Sequence, residues 1–177
     1  MIESLITSKT RIKLLLKFFF NSQNKDYLRS LEKEFGESSN AIRIELNRFE
    51  AAGMLKSEYA GNRKYFQANT EHPLFNDINS ILKKFIGIDK IIDQVTSQIG
   101  ELDAAYITGD FAKGHDSQII DLVLVGKNPD ENYIRNLITK AQAIIDRRIR
   151  YLVLNAEEMH KIFDQKPVLL IWKKDEK

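Results

Sequence analysis

The sequence predicts a chain of mixed α/β (α+β) class in three parts: a helix-turn-helix with a β-hairpin over residues 1–73, an amphipathic linker helix over 74–99, and a small α/β domain over 100–177. Three observations predict it. Apolar residues recur at three- and four-residue intervals through most of the first hundred positions. After Glu101 the period changes to short runs rich in β-branched residues. Between two alternating segments stands Gly61-Asn62, a dipeptide that suits the tight turn of a hairpin.

Taken in order, Ile12, Leu15, Leu16, Phe19 and Phe20 give the first helix a buried stripe, which is core periodicity rather than a secretion signal. Leu28, Leu31 and Phe35 line one face of a second, short helix, and Gly36 to Ser39 supplies a break with hydroxyl caps for a third. In the third, Ile42, Leu46 and Phe49 repeat as a stripe, while Ser39, Asn40, Arg43 and Asn47 share another face. Past Gly53 the chain alternates at Leu55, Ser57 and Tyr59 and again at Lys64 and Phe66, with Asn62, Arg63 and Lys64 at the hairpin tip.

From Leu74 to Ile99 an apolar stripe (Phe75, Ile78, Ile81, Leu82, Phe85, Ile88, Ile91, Ile92 and Val95 among its members) runs through several turns, with Gly87 placed to break or bend it. The stripe must be covered, by the chain's own domains or by the same helix of a second copy. Strands are expected at Ala104–Thr108, Ile119–Val125 and Ile149–Leu154, and helices at Tyr133–Ile145 and Ala156–Phe163. Val168–Trp172 fits a last strand or a terminal helix.

The polar face of the third helix carries chemistry. Arg and Asn make paired hydrogen bonds to guanine and adenine edges in the major groove, and a hydroxyl beside backbone N–H groups at a helix start suits phosphate. Arg43 and Asn47 are therefore candidate base readers, Ser39 and Asn40 candidate contacts at the helix start, and Asn62, Arg63 and Lys64 candidate backbone contacts from the hairpin. Duplex DNA is the expected partner. Palindromic sites need two readers, so a homodimer through the 74–99 stripe is expected as well, with Ile81, Phe85, Ile88, Ile92 and Val95 packed across a two-fold axis.

Thr10 to about Phe75 resembles the winged-helix domain of ArsR-type bacterial transcription regulators, through Leu46, Phe49, Gly53, Met54, Leu55, Gly61, Asn62, Arg63 and the exit His72-Pro73-Leu74. The resemblance implies a winged helix-turn-helix that binds operator DNA. The chain departs from the metal-sensing members, because it has no cysteine and its three histidines, His72, His115 and His160, are scattered, which excludes a thiolate metal sensor.

Charge is uneven along the chain. Residues 1–70 hold 12 Lys/Arg against 8 Asp/Glu, whereas residues 71–177 hold 15 against 17, so the basic excess lies with the helix-turn-helix. No apolar run reaches the roughly 20 residues that span a bilayer, so no membrane partner is expected. The absence of cysteine fits a reducing compartment, and a cytoplasmic location is expected.

Between the first two strands of the C-terminal domain lies Gly109-Asp-Phe-Ala-Lys-Gly114, followed by Asp116 and Asp121. This resembles the signature of the minimal nucleotidyltransferases of the polymerase-β superfamily, a Gly-Ser-x-Ala-x-Gly turn before a strand reading Ser-Asp-Ile-Asp-Leu. The resemblance implies a turn that presents N–H groups to a triphosphate and carboxylates that hold Mg²⁺. Here Asp110 stands for the turn serine, Ile119 for the first metal ligand, and Arg150 near the place of a third acid; only Asp121 survives. Gly109, Asp110, Gly114 and Asp121 thus mark a degenerate nucleotide site, with no catalytic residue, cofactor or metal expected. Three functional classes follow: a DNA-binding transcription regulator whose second domain senses an unknown effector or docks a protein; an active nucleotidyltransferase targeted by its winged helix; or a protein-interaction scaffold. The intact helix face and the damaged catalytic set favour the first.

Overall fold

The computed structural model describes residues 6–96, 102–127, 129–145 and 147–174. The chain divides into two compact units, Met1–Phe85 and Ile86–Lys177.

In the first unit, α1 (Lys9–Leu15) starts at Ser8, whose hydroxyl accepts from the Arg11 N–H, and continues into a π-helical turn, Leu16–Phe20. Leu14, Leu16, Phe18, Phe19 and Phe20 are buried there and form the centre of the unit's core. The wide turn leaves carbonyls without helical partners, and Asn79 Nδ2 donates to two of them, Phe19 O at 2.7 Å and Phe20 O at 3.2 Å. A short strand follows, β1 (Lys25–Tyr27), then α2 (Leu28–Phe35), which ends on Gly36 in the left-handed conformation with its N–H bonded to Glu32 O. Ser38 caps α3 (Ser39–Ala51) by accepting from the Ala41 N–H. Ile42, Leu46 and Phe49 are buried as the spacing predicts.

The hairpin is β2 (Leu55–Ala60) and β3 (Arg63–Ala68), in antiparallel register from Leu55↔Ala68 to Ala60↔Arg63, so Gly61-Asn62 is a two-residue loop. Strand β1 pairs with the other edge of β3, giving the order β1-β3-β2. Sequence pattern missed β1, because Lys25-Asp26-Tyr27 has neither alternation nor β-branched residues. It also missed Lys17. This lysine interrupts an apolar run as a surface residue would, yet it is buried, and its ammonium bonds Glu34 at 2.7 Å and Asp26 at 3.2 Å.

The expected linker helix is two helices, α4 (Phe75–Ile86) and α5 (Ile88–Thr96). Gly87 separates them at φ +91°, and a Cβ there would lie 2.6 Å from Ile145 Cγ2, so the break is built into the packing. Ile88 and Ile91 are buried inside the second unit, where α5 packs on α7 (Glu131–Ile144). This corrects the expected dimer stripe: Ile88 is already covered by its own chain, while Ile81, on α4, is exposed. Ile99 and the side chain of Val95 lie outside the described residues.

The second unit holds a four-stranded sheet of order β6-β5-β4-β7, built from β4 (Leu102–Thr108), β5 (Ile119–Gly126), β6 (Arg148–Leu154) and β7 (Leu169–Lys173). Strand β4 is antiparallel to β5 and β7, and β5 is parallel to β6 with α7 as the crossover. The segment at 168–172, open between strand and helix in sequence terms, is strand β7. One face buries Ile120, Leu122 and Leu124. The other carries Ala104, Val123 and Val125, partly covered by Met159 and Phe163 of α8 (Ala156–Phe163). Side chains alternate along a strand, so Asp121 shares this second face with Val123 and Val125.

Candidate nucleic-acid interface and a closed carboxylate site

In the first unit, α3 and the hairpin tip converge on one concavity of about 800 Å³. Arg43, Leu46 and Asn47 line it from α3, Asn62, Arg63, Lys64 and Phe66 from the hairpin, and Leu28, Arg29 and Lys33 from α2. Five of its lining side chains are cationic and none is a carboxylate. The helical repeat brings Arg43 and Asn47 to one side because they are four residues apart, and the same spacing brings Arg29 and Lys33 together on α2. These last two escaped sequence reasoning; the signal for them was a basic i, i+4 pair on the helix before the turn.

The residues expected to act together are not all alike in place. Ser39 and Asn40 sit at the start of α3 but do not line the groove. The Ser39 hydroxyl donates to Glu32, and the Asn40 amide oxygen accepts from Arg43 Nη2 at 3.1 Å. Arg63 lies over the Tyr27 ring, 4.7 Å from its centroid, and Tyr27 in turn meets Tyr65 edge-on at 5.2 Å. Its guanidinium is held above its ordinary pKa, chiefly by the hydrogen bond with Tyr65. Lys64 differs from its neighbour, because its ammonium donates to Glu50 Oε2 at 2.7 Å and lies over Phe66. That bond, with a second from Ser57, keeps the Glu50 carboxyl below the usual carboxylate range.

Across the sheet of the second unit, Asp121 and Arg150 are register partners on the parallel strands β5 and β6. Arg150 Nε donates to Asp121 Oδ1 at 2.7 Å and Nη2 to Oδ2 at 3.0 Å, a fork that uses both carboxylate oxygens. The pair raises the Arg150 pKa, first through this hydrogen bonding, then through the Asp121 charge, with Asp110 adding a smaller field. Gly109 closes the other side. It has φ +65°, and a Cβ at that position would fall 2.3 Å from Asp121 Oδ2. The turn from Gly109, which winds into the short helix α6 (Gly109–Ala112), is tied by Lys113 and His115 N–H bonds to Asp110 O and by Gly114 N–H to Phe111 O.

Asp121 and Arg150 line a cleft of about 640 Å³ with Thr108, Gly109, Lys113 and Lys166. Ile119 and Asp110 do not line it, and the Asp121 carboxylate is held by the cation across the sheet. Among the described residues no group of three or more His, Asp or Glu side chains could hold a metal ion. No described helix is long and apolar enough to cross a membrane.

No family model matches the sequence, and no curated protein matches it. Among solved structures, the chain is similar to a "putative nucleotidyltransferase from Sulfolobus solfataricus", with 24% identity, 55% of this chain and 86% of that one covered, and a TM-score of 0.40. It is also similar to AF1382 from Archaeoglobus fulgidus, with 17% identity, 55% of this chain and 100% of that one covered, and a TM-score of 0.37.

Proposed function

We propose that this chain is a duplex-DNA-binding regulator of transcription. In this reading the first unit is a winged helix-turn-helix of the ArsR-like kind, α3 enters the major groove, and the β2-β3 hairpin is the wing. The second unit is a nucleotidyltransferase-like scaffold that has lost its chemistry and serves as a sensing or docking module. One observation carries the DNA reading: Arg43 and Asn47 share a concavity with Asn62, Arg63, Arg29 and Lys33, with no carboxylate among the lining residues. Base-edge donors on one wall and phosphate-seeking cations on the others are what a duplex requires. The role given to Lys64 is reduced, since Glu50 competes with phosphate for its ammonium. Against transferase chemistry stands the Arg150 fork on the surviving carboxylate.

Two copies are expected on a palindromic site, and α4 offers them exposed apolar surface, where Leu74 just precedes the helix and Ile81 follows two turns later, both about half exposed. Selection from a random duplex library, followed by anisotropy titration of the selected and scrambled sites, tests the proposal. A selected site bound more tightly than its scramble, with the preference lost in Arg43→Ala, is the expected result. Equal affinity for both duplexes in the wild type refutes it.

A further inference from the structure

The cleft beside Asp121 has cations to spare. Lys113, Arg150 and Lys166 line it with a single carboxylate, Asp121, and both oxygens of that carboxylate are already held by Arg150. Lys113 and Lys166 are exposed and make no ion pair among the described residues; the Lys166 ammonium lies over the Phe163 ring at 5.5 Å. Asp110 also helps to raise the Arg150 pKa, from outside the lining. The rest of the wall on the Asp121 face is largely apolar, with Val123, Leu152, Phe163 and Pro167. A concavity of about 640 Å³ is of the size that encloses a small organic ligand.

We infer that this cleft binds a small organic phosphate monoester, without a divalent metal, through Lys113, Lys166 and Arg150, with the ligand's apolar or aromatic body against Leu152 and Phe163. The charge arithmetic selects the class. A phosphate monoester carries about −1.5 to −2 near neutral pH and offers three acceptor oxygens, which matches two unpaired ammonium groups better than a single carboxylate would. A divalent cation is disfavoured, because its oxygen ligands would have to come from Asp121 after expulsion of the guanidinium, inside a cleft already positive. The inference deepens the reading of the second unit as a sensing module and is independent of the DNA reading of the first.

The test uses the full chain and 1-naphthyl phosphate as probe, titrated by fluorescence and calorimetry in EDTA, with inorganic phosphate and 1-naphthol as separate arms. Saturable binding of the ester is expected, with 1-naphthol not bound, inorganic phosphate competing weakly, and no gain on adding Mg²⁺. The double variant Lys113→Ala, Lys166→Ala changes only exposed side chains, so it should fold, and it should bind the ester about tenfold or more weakly. No saturation at millimolar ester, equal binding by the double variant, or binding only in the presence of Mg²⁺ would overturn the inference. DNA affinity measured on the same preparation separates the two readings: an intact ester isotherm with no sequence-preferring DNA binding sinks the regulator proposal alone, and the reverse sinks the cleft inference alone.

Discussion

The groove of the first unit and the cleft of the second are both lined by basic side chains, but they treat their arginines in opposite ways. In the groove Arg43 bonds, among the described residues, a neutral amide, and Arg63 stacks on a ring, so both guanidinium groups keep donors for an outside partner. In the cleft the Arg150 fork is closed on Asp121. Both sites are net basic by their lining, and the pairing of the arginines sets them apart. A cation whose charge is already matched by a neighbouring carboxylate offers an outside ligand less than one resting on an aromatic face, which gives up little.

The largest effect expected from breaking this contrast is at Gly109. Substitution by alanine forces a left-handed backbone on a residue with a Cβ and drives that atom into Asp121 Oδ2, so unfolding of the second unit should become easier by at least about 1–3 kcal/mol. Chemical denaturation followed by the fluorescence of Trp172, on β7, reports on that unit. An unchanged midpoint would mean that the close approach of Gly109 to the carboxylate is not rigid. The matching change in the groove is Arg43→Ala. It should cost about 1–3 kcal/mol on a selected site and little on random DNA, measured by anisotropy. Equal losses on both would show that Arg43 meets phosphate rather than a base.

Much of this contrast was legible in the sequence, and the illegible remainder has a physical cause. The stripe Ile42, Leu46 and Phe49 and the turn Gly61-Asn62 are local signals, read through helical period and turn geometry, and the structure places them as read. Ile88 was assigned to an interface because periodicity shows only that a face is apolar, and not that α7 of the same chain covers it. Lys17 was illegible for the same reason: its partners Asp26 and Glu34 are distant in sequence and meet it only through the fold. Arg150 could be read as a lost acid, but its fork on Asp121 depends on the parallel register of β5 and β6, which no local pattern encodes.

A smaller effect is expected from opening the pair itself. Asp121→Asn removes the negative charge and leaves Arg150, two-thirds exposed, hydrated rather than stranded. The denaturation midpoint should therefore move little, because an exposed ion pair is screened by water, while affinity for 1-naphthyl phosphate should rise several-fold as the guanidinium becomes available. Weaker ester binding in this variant would mean that the fork positions Arg150 for the ligand instead of withholding it.

The smallest effect concerns a groove cation that is paired like Arg150. Lys64 is held by Glu50, whose carboxyl is kept below its ordinary value of 4.5, first by the Lys64 hydrogen bond and then by Ser57. A depressed folded-state pKa means that the pair stabilises the fold above the unfolded value and loses that contribution as pH falls through the folded one. Glu50→Gln should therefore destabilise the first unit slightly near pH 7 and not at all once the pH is well below the carboxylate's folded value, a difference readable from paired denaturation curves. Near neutral pH the same variant frees the ammonium for phosphate, so the slope of log affinity against log salt should steepen by about one unit for any DNA sequence. In the wild type that slope should stay constant between about pH 6 and pH 8, since Glu50 does not titrate there. An unchanged slope in Glu50→Gln would show that Lys64 points away from DNA even when released, leaving Arg63 as the hairpin's contact.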